Sequence, residues 1–485
     1  MQIQSMHFKV RAGAKLADQV LQQNLKTFKG KFVGARAAAV ADFNTIGDWE
    51  AVRSAGAAIR QRTLQQLDVW IERFEAEATR RGATVLFAED GAEAAQLLLQ
   101  ICQQHGVKKL VKSKSMVSEE ASLNQVLSEA GVTPVETDLG EYILQIKDNE
   151  PPSHIIAPAL HLNKDEVADL FERVHGTPRK TVIEDMTREA REQLRGHFLS
   201  ADMGVSGGNF LVAETGSVAI VTNEGNGRMV TTLPPVHVAI TGIEKVVPTL
   251  EDLSTLLRLL PRSATGQSIS NYVSLLTGRR GAQDQDGPQH MYFILVDNGR
   301  TGLLGGDMQP MLQCIRCGAC MNHCPVYQTV GGHAYGWVYP GPMGSVLTPA
   351  FQGLEQALDL PHAATLCGAC SVACPVQIPL PDLLRRLRQQ QTEAGLRPWR
   401  ERLALRAWAW LALRPRLYAA ITGLAVRALR TLRDRHQMIG HLPLVPGWRG
   451  GGPNHLARSM PAPRSAQRFL NRYQQLQHGQ RRPSQ

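Results

Sequence analysis

Long apolar runs are missing from these 485 residues. No uninterrupted stretch approaches the roughly 18 residues of a membrane span. The best two, 403–413 and 417–426, are short and are separated by Arg414-Pro415-Arg416. The opening residues, MQIQSMHFKVRAGAKLADQ, contain no apolar core region and no small-residue cleavage site, so a secretory signal is not expected. The expectation is a cytoplasmic protein whose only membrane contact is peripheral, at the inner membrane surface. G-x-G-x-x-G and Walker patterns are also absent, and no flavin fingerprint appears. Helix-turn-helix, zinc-finger and RNA-binding signatures are lacking, which argues against nucleic acid as a partner. Lysine disappears after Pro381: the remainder carries about 20 Arg and only four acids, Asp382, Glu393, Glu401 and Asp434. The formal charge of +10 therefore belongs to the C-terminal end, and the rest is mildly acidic. Such an end suits anionic lipid or an acidic protein partner, or is simply a solvated surface.

Cysteine is scarce too, and its placement is informative. Seven of the eight fall in two runs, Cys314-Ile-Arg-Cys317-Gly-Ala-Cys320-Met-Asn-His-Cys324-Pro325 and Cys367-Gly-Ala-Cys370-Ser-Val-Ala-Cys374-Pro375. The first is C-x2-C-x2-C-x3-C-P, a pattern that holds cubane iron–sulfur clusters. The second is the same pattern without its first cysteine. Zinc sites take four ligands as separated pairs, which fits poorly. Disulfides are not expected of closely spaced cysteines in an intracellular chain. In two-cluster ferredoxins the fourth cysteine of each run ligates the other cluster. This assigns Cys314, Cys317, Cys320 and Cys374 to one cluster, and Cys324, Cys367 and Cys370 to a second. Ala364 stands where the eighth cysteine would be. The second site is thus a three-iron cluster, or a four-iron cluster with a non-cysteine ligand, for which His362, His333 and His323 are candidates. Gly318-Ala319 and Gly368-Ala369 let backbone N–H groups approach the sulfurs, which raises the reduction potential.

Along the chain, residues 42–81 read as helix. Alternation follows: a buried strand over 83–88, a helix over 93–105, a strand over 108–111, a helix over 118–130 opened by a Ser-Glu cap, and a strand over 132–135. Repeated strand–helix–strand units mean a parallel sheet with helices on both faces. Cys102 lies on the apolar helix here and reads as a buried structural thiol. Helices are expected over 164–174 and 182–199. From Asp202 the chain becomes rich in Gly, Thr, Val and Asn, reading as short strands and tight turns, with Gly207-Gly208 and Glu224-Gly-Asn-Gly227 as turns or as a cradle for an anion, the latter without a G-x-G-x-x-G or Walker pattern behind it. Residues 290–296 form one more buried strand. The stiff spacer GGHAYGWVYPGPM, 331–343, reads as a packed loop over the clusters or a partner-docking loop. Helices are predicted over 380–391 and twice beyond Trp399, with Trp408, Trp410, Leu411, Leu424 and Val426 as apolar positions. The tail from Gly447 reads as loose.

The block GVSGGNFLVAETGSVAIVTNEGN, 204–226, and the earlier KSKSMVSE, 112–119, resemble the signature of the LUD domain. The spacer and the paired cysteine runs resemble the lactate utilization protein B family, the iron–sulfur subunits of bacterial LutABC systems. The resemblance covers nearly the whole chain. It implies an α/β LUD domain similar to CoA-transferase and ribose-5-phosphate isomerase folds, then an α-helical ferredoxin-type domain and a helical, basic C-terminal region. The expected boundaries are a helical segment at 1–60, the LUD domain at 61–300, the iron–sulfur domain at 301–390, and a basic, partly helical region at 391–485. The resemblance also implies two four-iron clusters and electron transfer in the oxidation of L-lactate to pyruvate. It implies two partners, a cysteine-rich LutA-like subunit and a LUD-domain LutC-like subunit.

No catalytic residue is assigned. Lactate oxidation needs a two-electron acceptor at carbon, which these motifs do not supply. Three further readings stand beside electron transfer. One is a LUD-pocket enzyme using Glu214 or Glu224, argued only by fold analogy. Another is a LUD scaffold for partners, and the last is the iron–sulfur subunit of a related 2-hydroxy-acid system such as glycolate oxidation. Seven motif cysteines predict about seven to eight irons per chain in anaerobically prepared protein. Iron near four per chain, with one spectroscopic species, would rule out two clusters.

Overall fold

A computed structural model describes residues 4–431 and a short antiparallel pair, Met438–Ile439 with Met460–Pro461. Apart from that pair, the tail from Gly447 lies outside the described residues. The chain divides into two compact units, 1–396 and 397–485.

The first unit is α/β. Its strands are β1 (Ala83–Ala88), β2 (Lys109–Lys112), β3 (Thr133–Glu136), β4 (Met203–Ser206), β5 (Phe210–Val212), β6 (Ser217–Thr222), β7 (Val236–Gly242), β8 (Val246–Val247), β9 (Tyr272–Thr277) and β10 (His290–Val296). Six of them form a wholly parallel sheet in the order β1-β10-β7-β4-β2-β3. Its central strands are apolar on both faces because helices or a second sheet cover each side. Val238, Ile240 and Ile294 face one layer with Leu98 and Ile101. Ala239, Phe293 and Leu295 face the other, where Phe74 meets the Phe293 ring edge-on at 5.1 Å. That second layer contains the four-stranded sheet β8-β5-β6-β9.

The structure corrects three local expectations. The helix over 42–81 is two helices, Trp49–Gln65 and Leu67–Arg80, preceded by Gln19–Phe43. The break before Trp49 comes from Asp48, whose carboxylate accepts the Glu50 and Ala51 amides at 2.9 and 3.1 Å, an N-cap. The helix over 118–130 is likewise split into Met116–Glu120 and Leu123–Glu129. Ser122 between them has φ 51°, and the cap is Ser115, which accepts the Ser118 amide at 3.3 Å. The segment after Glu224 is not a turn between strands but leads into a helix, Asn226–Thr232. This helix packs on β4, where a Cβ at Gly204 would stand 1.8 Å from the Val230 carbonyl oxygen.

A large core joins the N-terminal helices, the helix Leu250–Ala264 and the cysteine region. At the carboxyl end of the parallel sheet, Arg300 is fully buried. Its Nε donates to Glu244 at 2.6 Å, and its two Nη atoms grip Glu120 at 2.7 and 3.1 Å. Burial alone would raise the Glu244 pKa, but Arg300, Lys245 and Arg316 outweigh it and hold the carboxyl down to about 2.

In the second unit, the helices Trp399–Ala412 and Pro415–Thr431 leave Trp399, Trp408, Trp410 and Leu413 exposed. Among the described residues no helix is long and apolar enough to cross a membrane.

Breaking a buried ion pair from one side leaves a charge without its partner. Arg300→Met is therefore expected to cost about 3–5 kcal/mol at neutral pH, measured by denaturant unfolding. A depressed carboxylate contributes stability above its unfolded pKa and loses it as pH falls through its folded one. The penalty should therefore be full above the ordinary 4.5 of Glu244 and shrink toward pH 2. A penalty unchanged over that window would show that Glu244 is not Arg300's working partner.

Candidate metal centre

The two cysteine runs fold alike. Arg316 and Leu366, each just before a cysteine, lie in the left-handed region at φ 57° and 56°. Gly318 and Gly368 follow those cysteines at φ 73° and 83°, where a side chain would be strained. Short helices then begin, Ala319–Asn322 in one run and Ala369–Ala373 in the other. These reversals turn backbone amides onto sulfur. Arg316 N–H donates to Cys314 Sγ at 3.4 Å, Tyr327 N–H to Cys324 Sγ at 3.5 Å, and Ile378 N–H to Cys374 Sγ at 3.4 Å.

The thiols fall into two groups, read from which sulfurs perturb which. Burial raises the Cys317 pKa, and Cys374 and Cys314 raise it further. Burial raises Cys320 as well, helped by Cys314, Cys317 and Cys374. Cys374 is pushed up to about 11 by burial, with Cys314 adding to it. In the other group, burial and then Cys324 and Cys367 push Cys370 up to about 11. Cys324, raised by burial, feels Cys367. Each run's last cysteine thus feels a thiol of the opposite run, and Cys320 also feels Cys370. Buried thiols crowded together are poor company for one another's thiolates. Iron, which replaces the protons and neutralises the sulfurs, makes such a grouping favourable. The donor set therefore fits iron–sulfur clusters.

The two groups differ in access. Around the first, Arg53 donates to the Cys374 carbonyl at 3.1 and 2.7 Å, and Arg36 to the Ala373 carbonyl at 3.0 Å. Arg60, wholly buried, donates to the Val246 carbonyl at 2.8 Å, and burial lowers its pKa to about 10. Met343 Sδ lies 3.5 Å from Cys314 Sγ. The second group opens outward. Cys367 is exposed, and hydrogen bonds from the Thr365 side chain and the Ala369 amide draw its thiol below the ordinary value. Leu366 and Val372 stand exposed beside it, Val372 at 73 %.

The candidate histidines have other partners. His333 Nε2 meets the Pro151 carbonyl at 2.8 Å and its Nδ1 lies 4.0 Å from Glu150. His323 Nδ1 meets the Ala319 carbonyl at 2.9 Å, and His362 Nε2 meets Gln391 at 3.1 Å. Ala364 is partly buried, its carbonyl accepting from Arg388 at 2.9 Å. The spacer is packed inside, with Tyr335, Trp337 and Tyr339 buried. Cys102 is buried 4.0 Å from Met203 Sδ, and burial pushes its thiol up to about 11. Glu214 accepts the Leu250 amide at 2.9 Å, whereas Glu224 lines a separate cavity. Sequence reasoning missed Arg36, Arg53 and Arg60. They stand over 250 residues from the cysteines they shield, with no local pattern to mark them.

A family model described as the LUD domain matches residues 71–296, and one described as a 4Fe-4S dicluster domain matches 310–378. The chain is similar to lactate utilization protein B of Lysinibacillus sphaericus, at 42 % identity over 467 residues and 96 % of each chain. It is 42 % identical to the Bacillus pumilus protein over 478 residues, covering 98 % of this chain and 99 % of the relative. The chain belongs to the lactate utilization protein B family. The Shouchella clausii member is 46 % identical over 401 residues, covering 83 % of this chain and 82 % of its own. The dicluster match spans all seven motif cysteines of this family member.

The exchange of last cysteines is open to test. Cys374→Ser is expected to damage the cluster of Cys314, Cys317 and Cys320, and Cys324→Ser the other, as read by electron paramagnetic resonance of each reduced variant. Loss in each variant of its own run's signal would reverse the pairing.

Proposed function

We propose that the chain is the iron–sulfur electron-transfer subunit of a system oxidising L-lactate to pyruvate. The observation that carries this reading is the pair of thiol groups, one sealed by guanidinium groups and one open at the surface. Bound clusters supply one-electron transfer. Cys314, Cys317, Cys320 and Cys374 hold the first, and Cys324, Cys367 and Cys370 hold the second. The second has three thiolates, so it is a three-iron cluster or a four-iron cluster with a non-cysteine ligand. Arg36, Arg53 and Arg60 place positive charge beside the first set, which favours its reduced state. The Cys367 side, with Leu366 and Val372, is the point of closest approach for a partner.

The relatives' name supports the substrate, and through it the partners, a cysteine-rich LutA-like subunit and a LUD-domain LutC-like subunit. They would carry the two-electron chemistry at carbon. The Arg-rich second unit, with its exposed tryptophans, is a docking element for an acidic partner or an anionic membrane surface.

The purified chain, mixed anaerobically with both partners, is expected to lose its cluster absorbance when L-lactate is added. No bleaching with all three proteins present would defeat the reading. Turnover by the chain alone with an artificial acceptor would favour an enzyme. Truncation after Leu396 should leave iron content unchanged and slow this reduction most at low salt. Equal rates across a salt series would remove the docking role.

A further inference from the structure

Outside the cysteine groups the first unit holds a cavity of about 440 Å³. That is the size of a pocket for a small organic molecule. Its position follows from strand order. The chain runs from β2 outward to β3, then returns to the other side of β2 for β4 and continues through β7. Neighbouring loops diverge at such a reversal, and open α/β sheets bind ligands in the crevice beyond the carboxyl ends of those strands. The loop after β2, Ser113-Lys114-Ser115, and the loop after β4, Gly207-Gly208-Asn209, both line this cavity. Gly207 keeps the crevice narrow: a Cβ there would stand 3.0 Å from Ser115.

Two basic side chains face the buried part. Lys245 is 6 % exposed; burial and then Arg316 lower its pKa to about 7, with the neighbouring Glu244 opposing them. Arg316, between Cys314 and Cys317, lies over the Tyr339 ring at 4.6 Å. Its Nη2 reaches Glu244 only at 3.5 Å, and its Nη1 has no partner. Glu244 also lines the cavity, as do Asp138 and Glu224; its Oε2 is held by Arg300, while its Oε1 has no hydrogen bond. Lys114 Nζ, also lining the cavity, is buried without a hydrogen bond and 3.9 Å from Glu141. Burying cations without partners is costly, and folds that keep them do so opposite an anion. Ile155, Ile220 and Leu260 supply an apolar wall.

We infer that this cavity binds a small organic acid of the 2-hydroxy- or 2-oxo-carboxylate class, its carboxylate held between Lys245 and Arg316 and its carbon chain on the apolar wall. The preference for an organic anion comes from the cavity, and the narrower class rests on the lactate reading above. The site adds to the chain a ligand-binding position next to Cys317 and two residues from Cys314.

The test is calorimetric titration of the intact, iron-loaded chain, without partners, with L-lactate, pyruvate, 2-hydroxybutyrate and inorganic phosphate. One-to-one binding of at least one of the carboxylates is expected. It should weaken roughly tenfold or more in Lys245→Gln, the loss of a charge-assisted hydrogen bond. Lys26→Gln, on an exposed helix face, should change nothing. Iron content and circular dichroism verify each variant. If Lys245→Gln does not fold, Lys114→Gln carries the same test with the same direction. Absence of binding by all three carboxylates, binding of phosphate alone, or equal affinity in the lysine variants would each overturn the site. Because the partners are absent, failure of lactate-dependent cluster reduction leaves this result standing, and failure here leaves that reading standing.

Discussion

The guanidinium of Arg300, with no exposed surface, meets two carboxylates at the carboxyl end of the parallel sheet. Glu120 comes from the short helix after β2, and Glu244 from the turn after β7. Tyr339, from the spacer between the cysteine runs, adds its hydroxyl to Glu120, and Arg316 approaches Glu244. One ion cluster thereby ties the sheet to the cysteine region. Each charge in it is desolvated, so removing one strands the others. The placement of Arg316, and with it the backbone that carries Cys314 and Cys317, depends on this junction.

The contrast between the two thiol groups follows from what packs on them. Helices from the first 65 residues close over one group, bringing arginines whose guanidinium groups bond to carbonyls near Cys374. The other group meets solvent at Cys367. A site buried beneath guanidinium groups and a site open to solvent present unequal electrostatic surroundings to electrons.

The cysteine pattern could be read directly because cluster ligation imposes spacing on the chain itself. The buried strands over 83–88 and 290–296 were equally legible, since a strand covered on both faces is one apolar run. The helix Asn226–Thr232 was not. Its Asn, Gly, Val and Thr residues are weak helix formers, and close packing against Gly204 holds it in place. The helix breaks at Asp48 and Ser122 lay in capping and a left-handed backbone, which periodicity does not register. The meeting of Arg53 with the Cys374 carbonyl, or of Lys245 with Arg316 in one cavity, exists only after folding brings distant loops together. No local signal announces such encounters.

The N-terminal helices have a consequence for biosynthesis. Ser5 Oγ bonds the Tyr335 carbonyl at 2.8 Å, Phe8 rests on the Tyr335 ring at 5.1 Å, and Arg53 waits for Cys374. These helices therefore complete their core only after the helix Leu250–Ala264 and, later still, the cysteine region have been made. Until then their inward faces are only partly covered, in a chain whose sheet can already form. Loop closure over that span is slow, and exposed apolar helices in the interval invite aggregation or chaperone capture. Because these helices precede the cysteine region in the chain and close over it, iron has a path to the thiols until that shell forms.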